Sequence, residues 1–254
     1  MGRVYLVGAG PGAPDLLTLR AAEILERAEV VFHDALVHPQ TLALAAHALK
    51  ILVGKRSGRL STAQSFINKR LVDAARKHGV VVRLKGGDPL LFGRAQEEIN
   101  ALRKAGIDFE IVPGVTAATA AGAELGVSLT RRGLARHVAF VTPRAGRGER
   151  ENDWAASVLA ADTAVIYMGA GLAEAISAEL IGRGKPKATP FVLVESATLP
   201  ERRILRGTLA DLPALALKAG SGPAVLLLGE VLRDALADRA VVAIPEIQAY
   251  LGRA

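Results

Sequence analysis

Cysteine is missing from this sequence of 254 residues, and three kinds of site are excluded with it. Without a thiol there is no disulfide, no thiolate metal site and no cysteine nucleophile. Aromatic residues make up only 4 % of the chain, whereas hydrophobic residues make up 50 %. The cores must therefore consist of Val, Leu, Ile and Ala, a mixture that suits buried parallel strands flanked by helices.

Long uncharged apolar runs are also lacking. No run approaches the roughly 20 residues that span a bilayer. Residues 1–30 lack the basic and then apolar pattern of a signal peptide, because strand and loop signals begin at once. We therefore expect a cytoplasmic protein with no membrane partner.

The net charge of +7 indicates an anionic partner, either a nucleic acid or a polycarboxylate substrate. A generally basic surface is the alternative. The arginines are scattered along the chain, and no basic run is interleaved with aromatics that could stack on bases. We therefore expect an acidic small molecule and no nucleic acid.

Short apolar runs alternate with helical patterns from the first residues onward. The pattern predicts strands at 4–7, 30–32, 49–53, 80–84 and 109–112, and helices at 16–28, 39–47, 94–105 and after a capping box at 61–64. Such a βαβ series is typical of a mainly parallel sheet.

The alternation breaks after residue 112, which predicts two α/β lobes. We expect an N-terminal lobe over 1–113, a connecting helix and linker over 114–136, and a C-terminal lobe with a mixed sheet over 137–254. Strands are predicted there at 138–141, 164–167, 191–194, 203–206 and 224–228, with a mobile loop at 143–153.

The first glycine-rich loop matches the dinucleotide-binding fingerprint G-x-G-x-x-[GA] through Gly8, Gly10 and Ala13. The loop follows a predicted strand and precedes a predicted helix. Asp34 lies about 20 residues further on, where dinucleotide-binding proteins hold a ribose hydroxyl. One hypothesis is therefore an NAD(P)-dependent oxidoreductase.

Prolines in the same loop argue against a dinucleotide. Pro11 and Pro14 each remove an amide N–H that a pyrophosphate would bind. Asp15 adds a negative charge that would repel the pyrophosphate. A cofactor without phosphate fits this loop better.

Two more loops follow predicted strands, at 83–89 and 112–117. Gly86 and Gly87 let the backbone approach a ligand closely, and Asp88 can accept hydrogen bonds from hydroxyl or ammonium groups. A tight turn is the alternative for this segment alone. Because all three loops follow parallel strands, we expect them to meet at the carboxyl edge of one sheet, where open α/β sheets bind ligands.

At these loops the chain resembles the tetrapyrrole (corrin/porphyrin) methyltransferase family. The matching segments run in family order from residue 3 to about residue 235. They are 7–12 with 16–19, 34–37, 54–56, 83–89 with 92–94 and 97–98, 112–117, 129–132, 167–169 and 222–224.

The resemblance implies two α/β lobes with S-adenosylmethionine bound in the cleft between them and S-adenosylhomocysteine left as a product. By position, it assigns cofactor contacts to Pro11, Gly86, Gly87, Asp88, Leu91, Thr116, Ala117, Met168, Ala197 and Ala224. This agrees with a phosphate-free ligand at the first loop.

The resemblance also implies that Asp34 is a general base and Lys55 a proton donor. Judged from the residues alone, Asp34 is equally explained as a cap at a strand end, and Lys55 as a solvated charge. Residues 83–89 are similar to those of members that methylate uroporphyrinogen III at positions 2 and 7. The expected product is precorrin-2, formed via precorrin-1, for sirohaem or cobalamin synthesis.

A polycarboxylate of this class is expected to bind basic side chains through charge-assisted hydrogen bonds. The candidates are Arg56, Arg83, Arg94, Arg131 and Arg132, with Gln64 as a neutral neighbour. The alternatives are surface solubility for each arginine and the capping box for Gln64. No metal is expected, and the resemblance implies a homodimer.

This chain departs from the family pattern at Ala13, at Ala95 and Gln96, at Arg131, and at Pro143 and Arg144. These changes lie on the substrate side more than on the cofactor side. A methyltransferase for a later corrin intermediate is therefore the alternative within the family.

Overall fold

The computed structural model describes residues 2–53, 64–146 and 152–237. These residues fall into two compact units, of which the first ends at Thr116 and the second begins at Ala117. The predicted connecting segment 114–136 contains a helix, Ala117–Leu125, that packs in the core of the second unit. The domain boundaries at 113 and 136 remain predictions.

The first unit alternates strands and helices as the apolar pattern predicts. Its strands are β1 Arg3–Gly8, β2 Val30–His33, β3 Leu49–Leu52, β4 Val80–Lys85 and β5 Phe109–Val112. Its helices are α1 Leu19–Glu26, α2 Pro39–Ala43, α3 Gln64–Ala75 and α4 Ala95–Lys104.

All pairings among these five strands are parallel, in the order β3-β2-β4-β1-β5. Alternate residues of a strand point to opposite faces of the sheet, and helices cover both faces. On β1, Leu6 packs in a core with Leu71 of α3, and Val7 packs in another with Ile24 of α1. Burial on both faces explains the continuous apolar strands, and the predicted parallel sheet is confirmed.

Two predicted helix boundaries are wrong. The first helix begins at Leu19, since the hydroxyl of Thr18 accepts from the amide of Ala21 at 3.2 Å and caps it there. Residues Pro14–Leu16 form a separate 3-10 turn. The helix predicted over 39–47 ends at Ala43.

The second unit carries a mixed sheet in the order β6-β7-β10-β8-β9, as predicted. Its strands are β6 Val138–Val141, β7 Thr163–Tyr167, β8 Pro190–Glu195, β9 Arg203–Thr208 and β10 Ala224–Gly229. Its helices are α5 Ala117–Leu125, α6 Trp154–Ala160, α7 Ala173–Gly182, α8 Leu212–Ala216 and α9 Arg233–Ala237. Only β6 and β7 pair in parallel; the pairs β7–β10, β10–β8 and β8–β9 are antiparallel.

Both faces of this second sheet are covered as well. Ile166 of β7 packs in a core with Leu180 of α7, and Val165 packs in another with Ala121 of α5. The loop predicted over 143–153 lies partly outside the described residues. Its last residue, Asp153, caps α6 by accepting from the amide of Ala156 at 3.1 Å.

Within the described ranges, no helix is both long and apolar enough to cross a membrane.

Candidate active site

Three loops of the first unit meet at one edge of its sheet. Strand β1 lies between β4 and β5 in parallel register, so the segments after Gly8, Lys85 and Val112 all leave from the carboxyl edge. The first two loops are joined directly, because Gly87 donates to the carbonyl of Gly10 at 2.7 Å and Gly10 donates back at 3.3 Å. The predicted convergence of the loops is confirmed.

Glycine is required at this edge because backbones pass too close for a side chain. A Cβ on Gly8 would lie 2.6 Å from the amide nitrogen of Gly114, and a Cβ on Gly114 would clash with the carbonyl oxygen of Gly87. Gly10 and Gly87 also adopt φ values of +76° and +67°, which favour glycine. The edge is therefore lined by bare backbone.

The carboxylate of Asp88 ties the second loop to the third. One oxygen accepts from the amide of Gly114 at 3.0 Å, and the other accepts from the amide of Leu90 at 2.8 Å. These bonds hold Asp88 half-buried at the centre of the loops.

The first loop lacks the geometry of a pyrophosphate site. In the dinucleotide fold the glycine loop opens directly into a helix whose amides bind the phosphates. Here the 3-10 turn Pro14–Leu16 intervenes, and α1 begins only at Leu19 with Thr18 as its own cap. The loop therefore fits a ligand that makes no demand for helix amides.

The six cofactor contacts predicted in the first unit share this edge. All are half-buried, so each offers some surface to a ligand; they are Pro11, Gly86, Gly87, Asp88, Leu91 and Thr116. Their contact with a cofactor remains a prediction.

Asp34 follows β2, which pairs with β4, and so lies beside the second loop. Its amide donates to the carbonyl of Leu84 at 3.3 Å. Its side chain is 28 % exposed and accepts from Nη2 of Arg83 at 2.6 Å. Asp34 is thus a partly exposed carboxylate held by a buried guanidinium.

Arg83 occupies a different place from the one expected of a substrate-binding arginine. Its side chain is only 4 % exposed. Besides Asp34, it donates from Nε to Glu98 at 2.9 Å and from Nη1 to the carbonyl of Leu84 at 3.1 Å. Direct contact with a substrate carboxylate would require these bonds to be exchanged.

Glu98 of α4 is fully buried and is shared between two cations. Nζ of Lys85 lies 3.1 Å from each of its oxygens, and Gln64 of α3 donates to Oε1 at 3.1 Å. Desolvation lowers the pKa of Lys85 and the charge of Arg83 lowers it further, although Glu98 opposes both effects. Burial also opposes the charge of Arg83, yet Asp34 and Glu98 outweigh it and raise the pKa of Arg83.

The remaining predicted basic residues are exposed. Arg94 precedes α4 with a φ of +55° and pairs with Glu97 at 2.7 Å. Arg131 pairs with Asp234 at 2.9 Å, and Arg132 is also exposed. Lys55 and Arg56 lie outside the described residues, as do the first three residues of the predicted capping box.

In the second unit, four predicted cofactor contacts also share one sheet edge. Because β10 runs antiparallel to β7 and β8, its first residue, Ala224, lies beside the last residues of those strands. Met168 follows β7 and Ala197 follows β8. Ala117 starts α5, whose Ala118 amide donates to the hydroxyl of Tyr167 at 3.1 Å. Whether these residues contact a cofactor stays a prediction.

Glu195, at the end of β8, shapes the same edge and was missed by sequence reasoning. Its buried carboxylate accepts from the amides of Gly222 at 2.7 Å and Gly220 at 2.8 Å. A Cβ on either glycine would meet the Glu195 side chain. The signal in the sequence was a carboxylate at the end of an apolar strand.

Glu98 lies in a segment that matches the family, but the sequence predicts no role for it. Neighbouring carboxylates at the start of a helix are usually exposed, as Glu97 is. Among the described residues, no group of three or more potential metal ligands occurs.

The model of the family Tetrapyrrole (Corrin/Porphyrin) Methylases matches residues 3–213. This chain belongs to that family. Two relatives are a siroheme synthase of Pseudomonas putida, 47 % identical over 240 residues, and siroheme synthase 2 of Aeromonas hydrophila, 45 % identical over 240 residues. Each alignment covers 93 % of this chain, but only 52 % and 51 % of the relatives. The chain thus spans about half the length of these methylase-family relatives.

Two solved methylases share the fold along nearly the whole chain. The uroporphyrin-III C-methyltransferase of Thermus thermophilus, in complex with S-adenosylhomocysteine, is 41 % identical with a TM-score of 0.81. The alignment covers 92 % of this chain and 100 % of that one. A cobalt precorrin-4 methyltransferase is 31 % identical with a TM-score of 0.77, over 91 % of this chain and 95 % of that one. The fold of this chain therefore agrees with its membership of the family.

Proposed function

We propose that this chain transfers methyl groups from S-adenosylmethionine to positions 2 and 7 of uroporphyrinogen III, giving precorrin-2 via precorrin-1. The observation that carries the proposal is the carboxylate of Asp34, partly exposed and hydrogen-bonded to Arg83, beside the bare backbone of the glycine loops. A proton acceptor and a site for a ligand without phosphate thus lie on one sheet edge.

Similarity to known methylases supports the substrate. The Thermus thermophilus protein, a uroporphyrin-III C-methyltransferase, matches over its full length. Siroheme synthases of several bacteria match over about half of theirs. The proposed product would feed sirohaem synthesis, cobalamin synthesis or both.

The residues present fit S-adenosylmethionine, because the glycine edge offers backbone groups and the carboxylate of Asp88 but no helix start for a pyrophosphate. We assign its binding to Pro11, Gly86, Gly87, Asp88, Leu91 and Thr116 in the first unit, and to Ala117, Met168, Ala197 and Ala224 in the second. When bound, it supplies an electrophilic methyl group.

The protein has two tasks in this chemistry. It aligns the pyrrole carbon with the methyl donor, and alignment alone can contribute several kcal/mol. Asp34 then accepts the proton lost as the ring rearranges, a role worth roughly 100- to 10,000-fold in rate. Lys55 is assigned as the proton donor.

Exposed arginines are assigned to the carboxylates of the substrate. Arg94, Arg131 and Arg132 are on the surface of their units, and Arg56 and Gln64 complete the set. Rotation away from Asp234 would free Arg131, and an exposed pair of this kind costs little to separate.

The test is to incubate the pure protein with S-adenosylmethionine labelled in the methyl group and uroporphyrinogen III. Label in precorrin-1 and then precorrin-2 is expected. Absence of label would overturn the proposal, and label only in later corrin intermediates would favour the second candidate, which the precorrin-4 methyltransferase likeness supports.

Calorimetry separates the proposed cofactor from the dinucleotide hypothesis. S-adenosylhomocysteine is expected to bind with micromolar affinity or better, and NADPH is expected not to bind. The reverse result would restore an oxidoreductase. A cytoplasmic location and a homodimer also belong to the proposal; light scattering behind a sizing column tests the dimer.

A further inference from the structure

We infer that Glu98 is a positioning residue for Asp34, and that it acts through the guanidinium of Arg83. Glu98 is fully buried, yet one planar side chain joins it to the proposed base. This inference rests on the proposed function, since it assumes that Asp34 accepts the proton.

The geometry of Arg83 makes the coupling direct. Nε donates to Oε1 of Glu98 at 2.9 Å and Nη2 donates to Oδ1 of Asp34 at 2.6 Å. A guanidinium is rigid and planar, so anchoring its Nε edge also sets the direction of Nη2. Nη1 is held by the carbonyl of Leu84, which prevents rotation within the plane.

Glu98 is itself held by several partners. Besides Arg83, it accepts from Lys85 through both oxygens and from Gln64 through Oε1. Lys85 in turn passes beneath the cofactor-side loop, since a Cβ on Gly93 would lie 3.1 Å from its Cε. Glu98 thus connects the Asp34 side of the site to the loop that carries Leu91.

The network is balanced in charge. Two carboxylates, Asp34 and Glu98, face two cations, Arg83 and Lys85, and three of the four side chains are at most 4 % exposed. Loss of the Glu98 charge leaves two buried cations for one partly exposed carboxylate. Nε of Arg83 then loses its charged anchor, so Nη2 no longer holds Asp34 in its present direction.

A double-mutant cycle tests the inference. Glu98→Gln is expected to lower kcat for methyl transfer about 10- to 100-fold, because misplacing a reacting group by about 1 Å costs that much. The KM for S-adenosylmethionine should stay within about 3-fold, since none of the residues assigned to the cofactor is substituted. In the Asp34→Asn background, Glu98→Gln should lower kcat no further. Losses that multiply independently would overturn the inference.

Two further variants control for folding and for charge. Glu110→Gln removes a carboxylate of the same unit whose ion pairs with Arg3 and Arg20 are long, at 3.9 and 3.7 Å, and it should retain wild-type kcat. Lys85→Met combined with Glu98→Leu keeps the charge balanced but leaves Nε of Arg83 without its anchor, so kcat should remain low. Recovery to the wild-type value would mean that Glu98 only neutralises Lys85, and would overturn the inference.

A crystal structure of Glu98→Gln, or of the charge-balanced double variant if the single variant does not fold, tests the inference without any substrate. The contact between Arg83 and Asp34 is expected to be lost or redirected. If it persists at 2.6 Å, the inference fails even where the wild type methylates uroporphyrinogen III. If the wild type does not methylate that substrate, the proposed function fails, and the structure still reports on the role of Glu98.

Discussion

In the first unit the chain turns on glycine where its strands end, with Gly10 at a φ of +76° and Gly87 at +67°. In the second unit, residues with side chains occupy the same left-handed region just after β7 and β8: Met168 at +55°, Ser196 at +50° and Thr198 at +70°. In the first unit such residues, Phe92 and Arg94, come further from the strand end. Backbone passes against backbone in the first case, so a Cβ has no room. In the second case strain is tolerated and a side chain is presented, a pattern that clusters at functional sites.

The buried carboxylates of Glu98 and Glu195 have different partners. Glu98 pairs with two cations, whereas Glu195 binds two backbone amides and shapes the loop before β10. The first arrangement orients another charged group, Asp34. The second fixes the course of a loop. We therefore assign the reacting group to the first unit and loop shaping to the second.

The largest expected effect follows from removing the proposed base. Asp34→Asn should lower kcat about 100- to 10,000-fold, because proton transfer by a placed base contributes that much. Transfer of labelled methyl groups to uroporphyrinogen III measures kcat. Affinity for S-adenosylhomocysteine, measured by calorimetry, should change by less than about 3-fold. Full turnover in the variant would contradict the assignment of the reacting group to the first unit.

The next largest effect is expected when Glu195, the buried carboxylate at the end of β8, is substituted. Glu195→Gln turns one acceptor oxygen into a donor that faces a glycine amide and removes a charge from two hydrogen bonds. The free energy of unfolding should fall by about 2–3 kcal/mol in urea titration. The exposed Glu179, which pairs with Arg183, provides the control: Glu179→Gln should cost less than about 1 kcal/mol. Equal costs would contradict the role given to Glu195.

A glycine exchange compares backbone crowding in the two units. Gly114→Ala places a Cβ against the backbone of Gly8 and Gly87, so the free energy of unfolding should fall by about 1–3 kcal/mol and cofactor affinity should weaken. Gly182→Ala, at a helical position with open space around it, should instead stabilise by about 0.5–1 kcal/mol. Thermal unfolding and calorimetry measure both variants. Tolerance of Gly114→Ala would show that the first edge is not crowded.

The smallest effect is a pH dependence. Desolvation lowers the pKa of Lys185 below its ordinary value of 10.5, so the unfolded chain binds its proton more readily. Stability from this group therefore rises with pH through the window below 10.5 and is lowest where both states are protonated.

Lys185→Met lacks this titration. The difference in unfolding free energy between wild type and variant should therefore move in favour of the wild type from pH 8 toward pH 10. Urea titrations at several pH values measure it. A difference that moves the other way would contradict burial as the cause of the lowered pKa.

Much of the fold could be predicted because its signals are local. Runs rich in Val and Leu at 4–7 and 80–84 became β1 and β4, and glycine followed them where the chain turns. Helix ends were less accurate, since the start of α1 depends on whether Thr18 caps Ala21. Helices α6 to α9 were not predicted, because their short apolar runs have no strong period of their own.

The candidate site was predictable in part. The glycine loops and Asp34 stand in recognisable segments, and the parallel sheet brings them together. Arg83 was expected to bind the substrate and its side chain is only 4 % exposed, and Glu98 had no predicted role although it is fully buried. The sequence does not show whether a charged side chain is buried, because burial depends on which helix packs over the strand that bears the residue.

The sequence thus predicts turns and strands from a few neighbouring residues, namely from the positions of glycine and proline and from the apolar period of the strands. Local prediction works here because sterics and backbone dihedrals act at that range. These local signals were enough to predict a two-lobed α/β protein and a ligand without phosphate. The pairing of Arg83 with Asp34 and Glu98 joins residues that are 49 and 15 positions apart. Packing of α4 against the first sheet creates that network, so only the tertiary structure reveals it.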